Sequence, residues 1–284
     1  MNRACRYLIT GGSGLLGRAL VEHLYSRGFK NLVLMGRNEN RLAEVRESYP
    51  GITTVSGCVS DPYALARAGA GCDGIFHLAA YKNLVMAEKE PSACAQSNIL
   101  GVSNLLRLAA DLRPDFLVFV SSSAAADVKG VYGASKFIGE KMVAEFAASN
   151  PGTLCRTVRF ANLWRGAGSF ILNWERAVAE GRPIRLTSLV ATRFFITMEA
   201  AAEQIILALT SPEHLVIQRT KGVSMGVIQQ AFDEVHGVGM GWVVTGLQPG
   251  EVLHQTVDGV NYSNEAEQYT VEEFKKEFLC PTKS

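Results

Sequence analysis

The sequence predicts an α/β fold built on a doubly wound parallel sheet, and three observations carry that prediction. The apolar run Tyr7-Leu8-Ile9-Thr10 leads directly into a glycine-rich turn that opens a helical pattern. Similar short runs rich in β-branched and aromatic residues recur, each followed by helical periodicity. A later run, Val118-Phe119-Val120, stops at Ser121-Ser122-Ser123, and Tyr132-Gly133-Ala134-Ser135-Lys136 follows at the head of another helix.

The chain of 284 residues suffices for one large domain or two modest ones. A net charge of +1 leaves no whole-chain footprint for nucleic acid or a membrane surface. The six cysteines (Cys5, Cys58, Cys72, Cys94, Cys155 and Cys280) are scattered, with no Cys-x-x-Cys and no histidine at ligand spacing. They read as reduced thiols of a cytoplasmic protein without a structural metal. The N-terminus enters a strand rather than a signal peptide, and no apolar run is long enough to span a bilayer.

The first turn holds Gly12-x-Gly14-x-x-Gly17 and, in overlapping register, Gly11-x-x-Gly14-x-x-Gly17. Between a strand and a helix, such glycines permit a tight turn and bring a pyrophosphate onto backbone amides at a helix N-terminus. A dinucleotide-binding, Rossmann-type domain is therefore expected, with Gly11, Ser13, Gly14, Leu15, Leu16 and Gly17 against the phosphates. The second strand, Leu32 to Met35, ends at Gly36-Arg37-Asn38-Glu39-Asn40-Arg41. An acid at Gly36 would read a ribose 2′-hydroxyl. Arg37, helped by Arg41, suits a 2′-phosphate instead, so NADP is favoured and NAD stays open.

A third strand covers Ile52 to Val55, and Asp61-Pro62 has the N-cap and first-turn residues of a short helix. Gly74 to Ala80 reads as a fourth strand in which His77 is packed, and Leu78-Ala79-Ala80 leaves room for a flat ligand. Tyr81-Lys82-Asn83 then falls at the carboxyl edge of the sheet, where open α/β sheets bind ligands. A helix is expected over Ser92 to Leu112.

At the fifth strand, the spacing of four puts the Tyr132 phenol and the Lys136 ammonium on one helix face. A cation beside a phenol favours the phenolate and is expected to bring Tyr132 below its ordinary pKa of about 10. A serine hydroxyl close by completes a device for exchanging a proton with a substrate alcohol while hydride leaves the same carbon.

Together these residues resemble the extended short-chain dehydrogenase/reductase superfamily. They look most like the nucleotide-sugar branch of inverting UDP-N-acetylglucosamine 4,6-dehydratases in polysaccharide biosynthesis. The resemblance runs from about Tyr7 to about Val257. It also takes in Asn98-Ile99-Leu100-Gly101, Thr192-Arg193-Phe194-Phe195 and Thr245-Gly246-Leu247-Gln248-Pro249-Gly250-Glu251. It implies Ser122, Ser123, Tyr132 and Lys136 as catalytic residues. Arg37, Asn38, Arg41, Cys58, Val59, Leu78, Ala79, Ala80, Lys82 and Asn98 join Tyr132 and Lys136 around the cofactor. Lys82, Asn83, Asn162, Arg193, Gln248 and Glu251 are implied for a UDP-sugar.

One departure bears on the reaction. The dehydratase strand usually ends Ser-Thr-Asp-Lys, whereas this chain has Ser121-Ser122-Ser123-Ala124, without the carboxylate and ammonium that handle C5 and C6. Asp127 and Lys129 are the nearest substitutes. In the second half, Cys155 to Phe160 reads as a sixth strand, Gly166-Ala167-Gly168-Ser169 as an amide-rich turn and Pro183 to Leu186 as a strand for the uridine. Residues 1–161 are thus expected to hold the dinucleotide. Residues 162–284, with interleaved boundaries, are expected to form mainly a smaller lobe over the sugar nucleotide. C4 redox chemistry on a UDP-N-acetylhexosamine, by a 4-epimerase or 4-ketoreductase, is the expected function, with 4,6-dehydration as the alternative. A non-catalytic NADP-binding regulator would have lost Tyr132 or Lys136. The alanine-bearing helices suggest a homodimer or larger homo-oligomer by resemblance.

Overall fold

A computed structural model describes residues 1–166, 169–237, 240–247 and 251–280. In chain order the elements begin with β1 (Tyr7–Thr10), α1 (Leu15–Ser26), β2 (Leu32–Gly36), α2 (Glu39–Ser48), β3 (Thr53–Ser56), α3 (Pro62–Gly69) and β4 (Gly74–His77). Then come α4 (Leu84–Lys89), α5 (Pro91–Ala95), α6 (Gly101–Leu112), β5 (Phe116–Ser122), α7 (Val131–Ser149) and β6 (Leu154–Phe160). The remainder holds β7 (Asn162–Leu163), α8 (Phe170–Ala179), β8 (Ile184–Leu186), β9 (Thr192–Ile196), α9 (Met198–Leu207) and β10 (Leu215–Ile217). It closes with β11 (Gly222–Ser224), α10 (Met225–His236), β12 (Trp242–Val244) and α11 (Val271–Phe274).

The chain divides into two compact units, residues 1–160 with 198–218, and residues 161–197 with 219–284. The first unit is a seven-stranded, wholly parallel sheet in the order β10-β6-β5-β4-β1-β2-β3. The order reverses between β1 and β4, and α/β sheets bind ligands at the carboxyl ends of strands beside such a reversal. Parallel strands with helices on both faces are buried on both sides, which is why β1, β2 and β4 read as nearly continuous apolar runs. Asp61 caps α3 as its sequence suggests, accepting from the Tyr63 and Ala64 amides at 2.9 and 3.2 Å.

Two features of this unit differ from the sequence expectation. The single helix over Ser92 to Leu112 is interrupted by a widened π-turn at Gln96–Leu100, centred on Asn98. Such turns often mark functional positions. The edge strand β10 has only three residues, too few for a recognisable alternation, and is fixed by pairing with Thr157 to Arg159 of β6.

The second unit has a three-stranded sheet (β11-β9-β7), the pair β12-β8 and an aromatic core. Trp164 meets Phe195 and Phe274 edge-on at 5.3 and 5.2 Å, and its indole N–H donates to the Phe278 carbonyl at 2.8 Å. The C-terminal stretch is thus part of this core. Its start is set by a reciprocal capping box between Thr270 and Glu273. Phe274 has no exposed surface. Phe274→Ala is expected to lower the stability of this unit by about 3–5 kcal/mol, read by denaturant unfolding followed through tryptophan fluorescence.

Candidate active site

The glycine turn after β1 is a built cradle. Helix α1 starts at Leu15 behind Gly14, and no side chain caps its N-terminus. Its first amides therefore keep their hydrogen-bonding capacity and the positive end of the helix dipole. Gly17 makes the close approach possible: a Cβ there would collide with the Gly11 carbonyl oxygen and lie 2.7 Å from Gly12 Cα. Ser13 is buried beneath the turn, Leu16 is half-buried and Leu15 is exposed at the helix start. Leu78, Ala79 and Ala80 continue from β4 alongside, half-buried. This chain's residues therefore fit a nicotinamide dinucleotide.

Cations gather at the ends of β2 and β4. Arg37 and Arg41 are exposed, and neither guanidinium forms an ion pair among the described residues. Lys82 is crowded by protein while open to water; that crowding, and then the charge of Arg41, hold its ammonium below the ordinary range. Arg37 lies close enough to bias Tyr81 electrostatically. Asn38 acts locally, its side chain capping α2 by accepting from the Arg41 amide at 2.9 Å. Asn83 caps α4 in the same manner, accepting from the Met86 amide at 3.0 Å.

Three other expected cofactor contacts have their side chains engaged inside the protein. Asn98 accepts from the Tyr81 amide at 2.7 Å and donates to the Tyr81 carbonyl and Ser135 Oγ, both at 2.9 Å. Its amide thus ties the segment after β4 to α7. Val59 belongs to the core, and the Cys58 thiol accepts from Ser60 Oγ at 3.0 Å. His77 is buried, with Nδ1 2.8 Å from Thr10 Oγ1 and its ring stacked on Phe119 at 5.8 Å. Burial, and then the charge of Lys136, push its pKa to about 3. A neutral packed histidine is the result.

The end of β5 and the head of α7 bring the catalytic candidates together. Gly133 allows it, since a Cβ there would collide with the Ala124 carbonyl oxygen. Ser122 Oγ accepts from the Ala124 amide at 3.3 Å and also hydrogen-bonds the Tyr132 phenol. Ser123 is buried in the short turn that follows. Lys136 is 3% exposed; its Nζ donates to the Val120 carbonyl at 2.6 Å and lies 4.3 Å from the Phe119 ring centre. Burial lowers its pKa to about 8, with Glu140 acting in the opposite sense.

The phenol departs from expectation. Burial raises the Tyr132 pKa, and the hydrogen bond from Ser122 offsets that only in part. The Lys136 ammonium is directed at a strand carbonyl, and burial governs the phenol. Asp127 and Lys129 pair with one another at 3.0 Å on the loop before α7.

In the second unit, the Asn162 amide donates to the Phe194 carbonyl at 3.0 Å and to Gln255 Oε1 at 2.7 Å. Gln255 lies 93 residues away along the chain, a partner that the sequence did not signal. Arg193 Nη1 donates to the Thr192 and Leu253 carbonyls at 2.9 and 3.1 Å. Burial lowers the pKa of this guanidinium while Glu251 favours its charge. Gln248, with Pro249 and Gly250, lies outside the described residues, as do Ala167 and Gly168 of the expected anion-binding turn. No cluster of His, Cys, Asp or Glu suited to a metal ion occurs among the described residues, and no described helix is long and apolar enough to cross a membrane.

A parallel sheet with an open glycine cradle and an assembled Ser-Tyr-Lys set defines an extended short-chain dehydrogenase/reductase, an enzyme class working with a nicotinamide dinucleotide. Residues 7–276 match the polysaccharide biosynthesis protein family, and the chain belongs to it. An uncharacterised membrane protein of Methanocaldococcus jannaschii is 26% identical over 96% of this chain and 84% of its own length. A UDP-glucose 4-epimerase of Rickettsia canadensis is 26% identical over 81% of this chain and 70% of its own. Among solved structures, a UDP-N-acetylglucosamine 4-epimerase of Methanobrevibacter ruminantium in complex with UDP-N-acetylmuramic acid superposes with a TM-score of 0.80. It is 19% identical and covers 97% of this chain and 96% of its own.

Because the Gly17 contact is backbone against backbone, Gly17→Ala forces α1 away from β1. Dinucleotide binding is expected to weaken by about a hundredfold or more, measured by fluorescence titration with NADPH, while the second unit keeps its unfolding midpoint.

Proposed function

We propose that this protein transfers hydride at C4 of a UDP-N-acetylhexosamine, as a 4-epimerase or a 4-ketoreductase. The observation that carries the reading is an asymmetry in the site. The Ser122, Tyr132 and Lys136 set is assembled at the end of β5, whereas the strand end has Ser123 and Ala124 where dehydration needs an acid and a base. Asp127 and Lys129, the nearest replacements, are committed to each other.

When bound, the nicotinamide supplies the hydride acceptor or donor and, in its oxidised form, a positive charge. The chain's part is proton handling. With its pKa raised, Tyr132 rests as a neutral phenol, which suits it to protonate the C4 oxygen in the reductive direction. For oxidation the half-buried phenol first loses its proton to solvent water, and the resulting phenolate takes the proton of the C4 hydroxyl as hydride leaves that carbon. Ser122, already hydrogen-bonded to the phenol, orients that oxygen between them. Lys136, anchored on Val120, holds the nicotinamide ribose and keeps a positive charge beneath the site.

NADP is the preferred form in this reading. Arg37 and Arg41 form no ion pair among the described residues, and Arg41 acts electrostatically on Lys82, so a group of cations is available to a 2′-phosphate. Arg193 is the proposed diphosphate contact of the second unit, on its resemblance to the family's pyrophosphate-binding arginine and the fit of a guanidinium to phosphate. A homodimer or larger assembly through α6 and α7 belongs to the same reading; Phe137 and Ile138 of α7 are 39% and 40% exposed.

Incubation with UDP-N-acetylglucosamine and NADP, followed by mass spectrometry and proton NMR, tests the proposal. Unchanged mass with altered ring couplings is expected for epimerisation, and hydride uptake from NADPH onto a 4-keto sugar for reduction. Loss of one water would instead identify a dehydratase and overturn the reading. Tyr132→Phe is expected to lower kcat by about 10²–10⁴-fold with the fold retained. Arg37→Ala is expected to weaken NADP binding by about 10–100-fold and to leave NAD binding nearly unchanged, read by parallel titrations with the two coenzymes.

A further inference from the structure

Glu140 is a buried acid to which proton transfer assigns no role. It is 7% exposed on α7, one helical turn beyond Lys136. Arg159 of β6, equally buried, donates from Nε to Oε1 at 2.7 Å and from Nη2 to Oε2 at 2.6 Å. Ser121 Oγ donates to Oε1 at 2.5 Å. Taking two charges out of water is unfavourable unless geometry and hydrogen bonding are both good. Here the carboxylate receives at least these three bonds.

The sheet register explains why the three residues meet. Ser121 lies directly across from Arg159 in the β5–β6 pairing, so both side chains leave the same face of the sheet. That is the face on which Glu140 of α7 lies. One turn earlier on the helix, Lys136 grips the Val120 carbonyl. Two side chains four residues apart on one helix face therefore hold two consecutive residues of β5. The next residue along that strand is Ser122.

We propose that Glu140, held by Arg159 and Ser121, is a positioning residue: together with Lys136 it registers α7 on the end of β5 and thereby sets the Tyr132 phenol against Ser122. Without this clamp Lys136 is left to register α7 on the end of β5, and a small slide of the helix along the strand separates phenol from hydroxyl. The clamp also tunes the lysine. Lys136 faces Glu140 of its own helix, Cys94 of α5 and the neutral His77 of β4, and Arg159 reaches it through Glu140. Among these groups Glu140, and then Cys94, favour the ammonium, and Arg159 balances Glu140.

The kinetic part of the test rests on the C4 redox reading; the titration part does not. Full-length protein labelled with ¹³C-lysine is followed by NMR across pH, and Lys136→Arg identifies the Lys136 Cε signal. In the parent this signal is expected to titrate near pH 8. Glu140→Gln keeps the shape, removes the negative charge and leaves Arg159 unbalanced, so the midpoint is expected to fall by about one unit or more. Arg159→Met leaves Glu140 unbalanced, and the midpoint is expected to rise by about as much. In turnover, Glu140→Gln is expected to lose about tenfold or more in kcat, with KM for the sugar nucleotide changed by less than about threefold. Midpoints that stay at the parent value in both folded variants overturn the proposal and leave Glu140 as a structural ion pair. Should these two variants fail to fold, Ser121→Ala keeps both charges, and a kcat equal to the parent's overturns it. If the parent turns over no sugar nucleotide, the functional reading fails, while the opposed shifts of the lysine still decide the role of Glu140.

Discussion

The hydrogen bond from Lys136 to the Val120 carbonyl is the interaction on which the rest of the site depends. It joins the helix that carries the acid–base tyrosine to the strand that carries the serine, at the point where both reach the carboxyl edge of the sheet. An ammonium almost without exposure would be strongly disfavoured alone. The strand carbonyl, the Phe119 ring and the Glu140 charge together hold it in place. The surrounding fold follows from making that contact possible: a parallel sheet delivers the strand end, and a glycine at position 133 lets α7 lie against the turn after it.

The two ends of the ligand are met by different physics. At the dinucleotide end, a helix start without a side-chain cap offers backbone amides, and exposed cations stand nearby. At the chemical end, groups are set by protein contacts: Lys136 by the Val120 carbonyl and the Phe119 ring, and the Tyr132 phenol by Ser122. Asn98 belongs to the second kind. With both amide groups engaged, it makes the π-turn in the long helical run a rigid link between the segment after β4 and α7.

The sequence resembles sugar dehydratases and is similar to a sugar epimerase, and the proposed reading turns on what stands just after β5: Ser123 and Ala124, beside an acid and a base that pair with each other.

Local pattern was enough for the first six strands, the glycine cradle, the α3 cap and the Tyr132–Lys136 pair, since each is a matter of period, turn chemistry or a spacing of four. It also excluded an acid reading the ribose at Gly36. The three-residue β10, the Asn98 link to Tyr81, the Glu140–Arg159–Ser121 clamp and the Asn162–Gln255 bond were decided only by tertiary structure. Each joins residues too far apart in the chain for periodicity to relate them, from 17 positions to 93. The direction of the Tyr132 pKa belongs with these. A spacing of four places an ammonium on the same helix face as a phenol, but only the packed sheet determines that the ammonium binds a carbonyl and that burial governs the phenol.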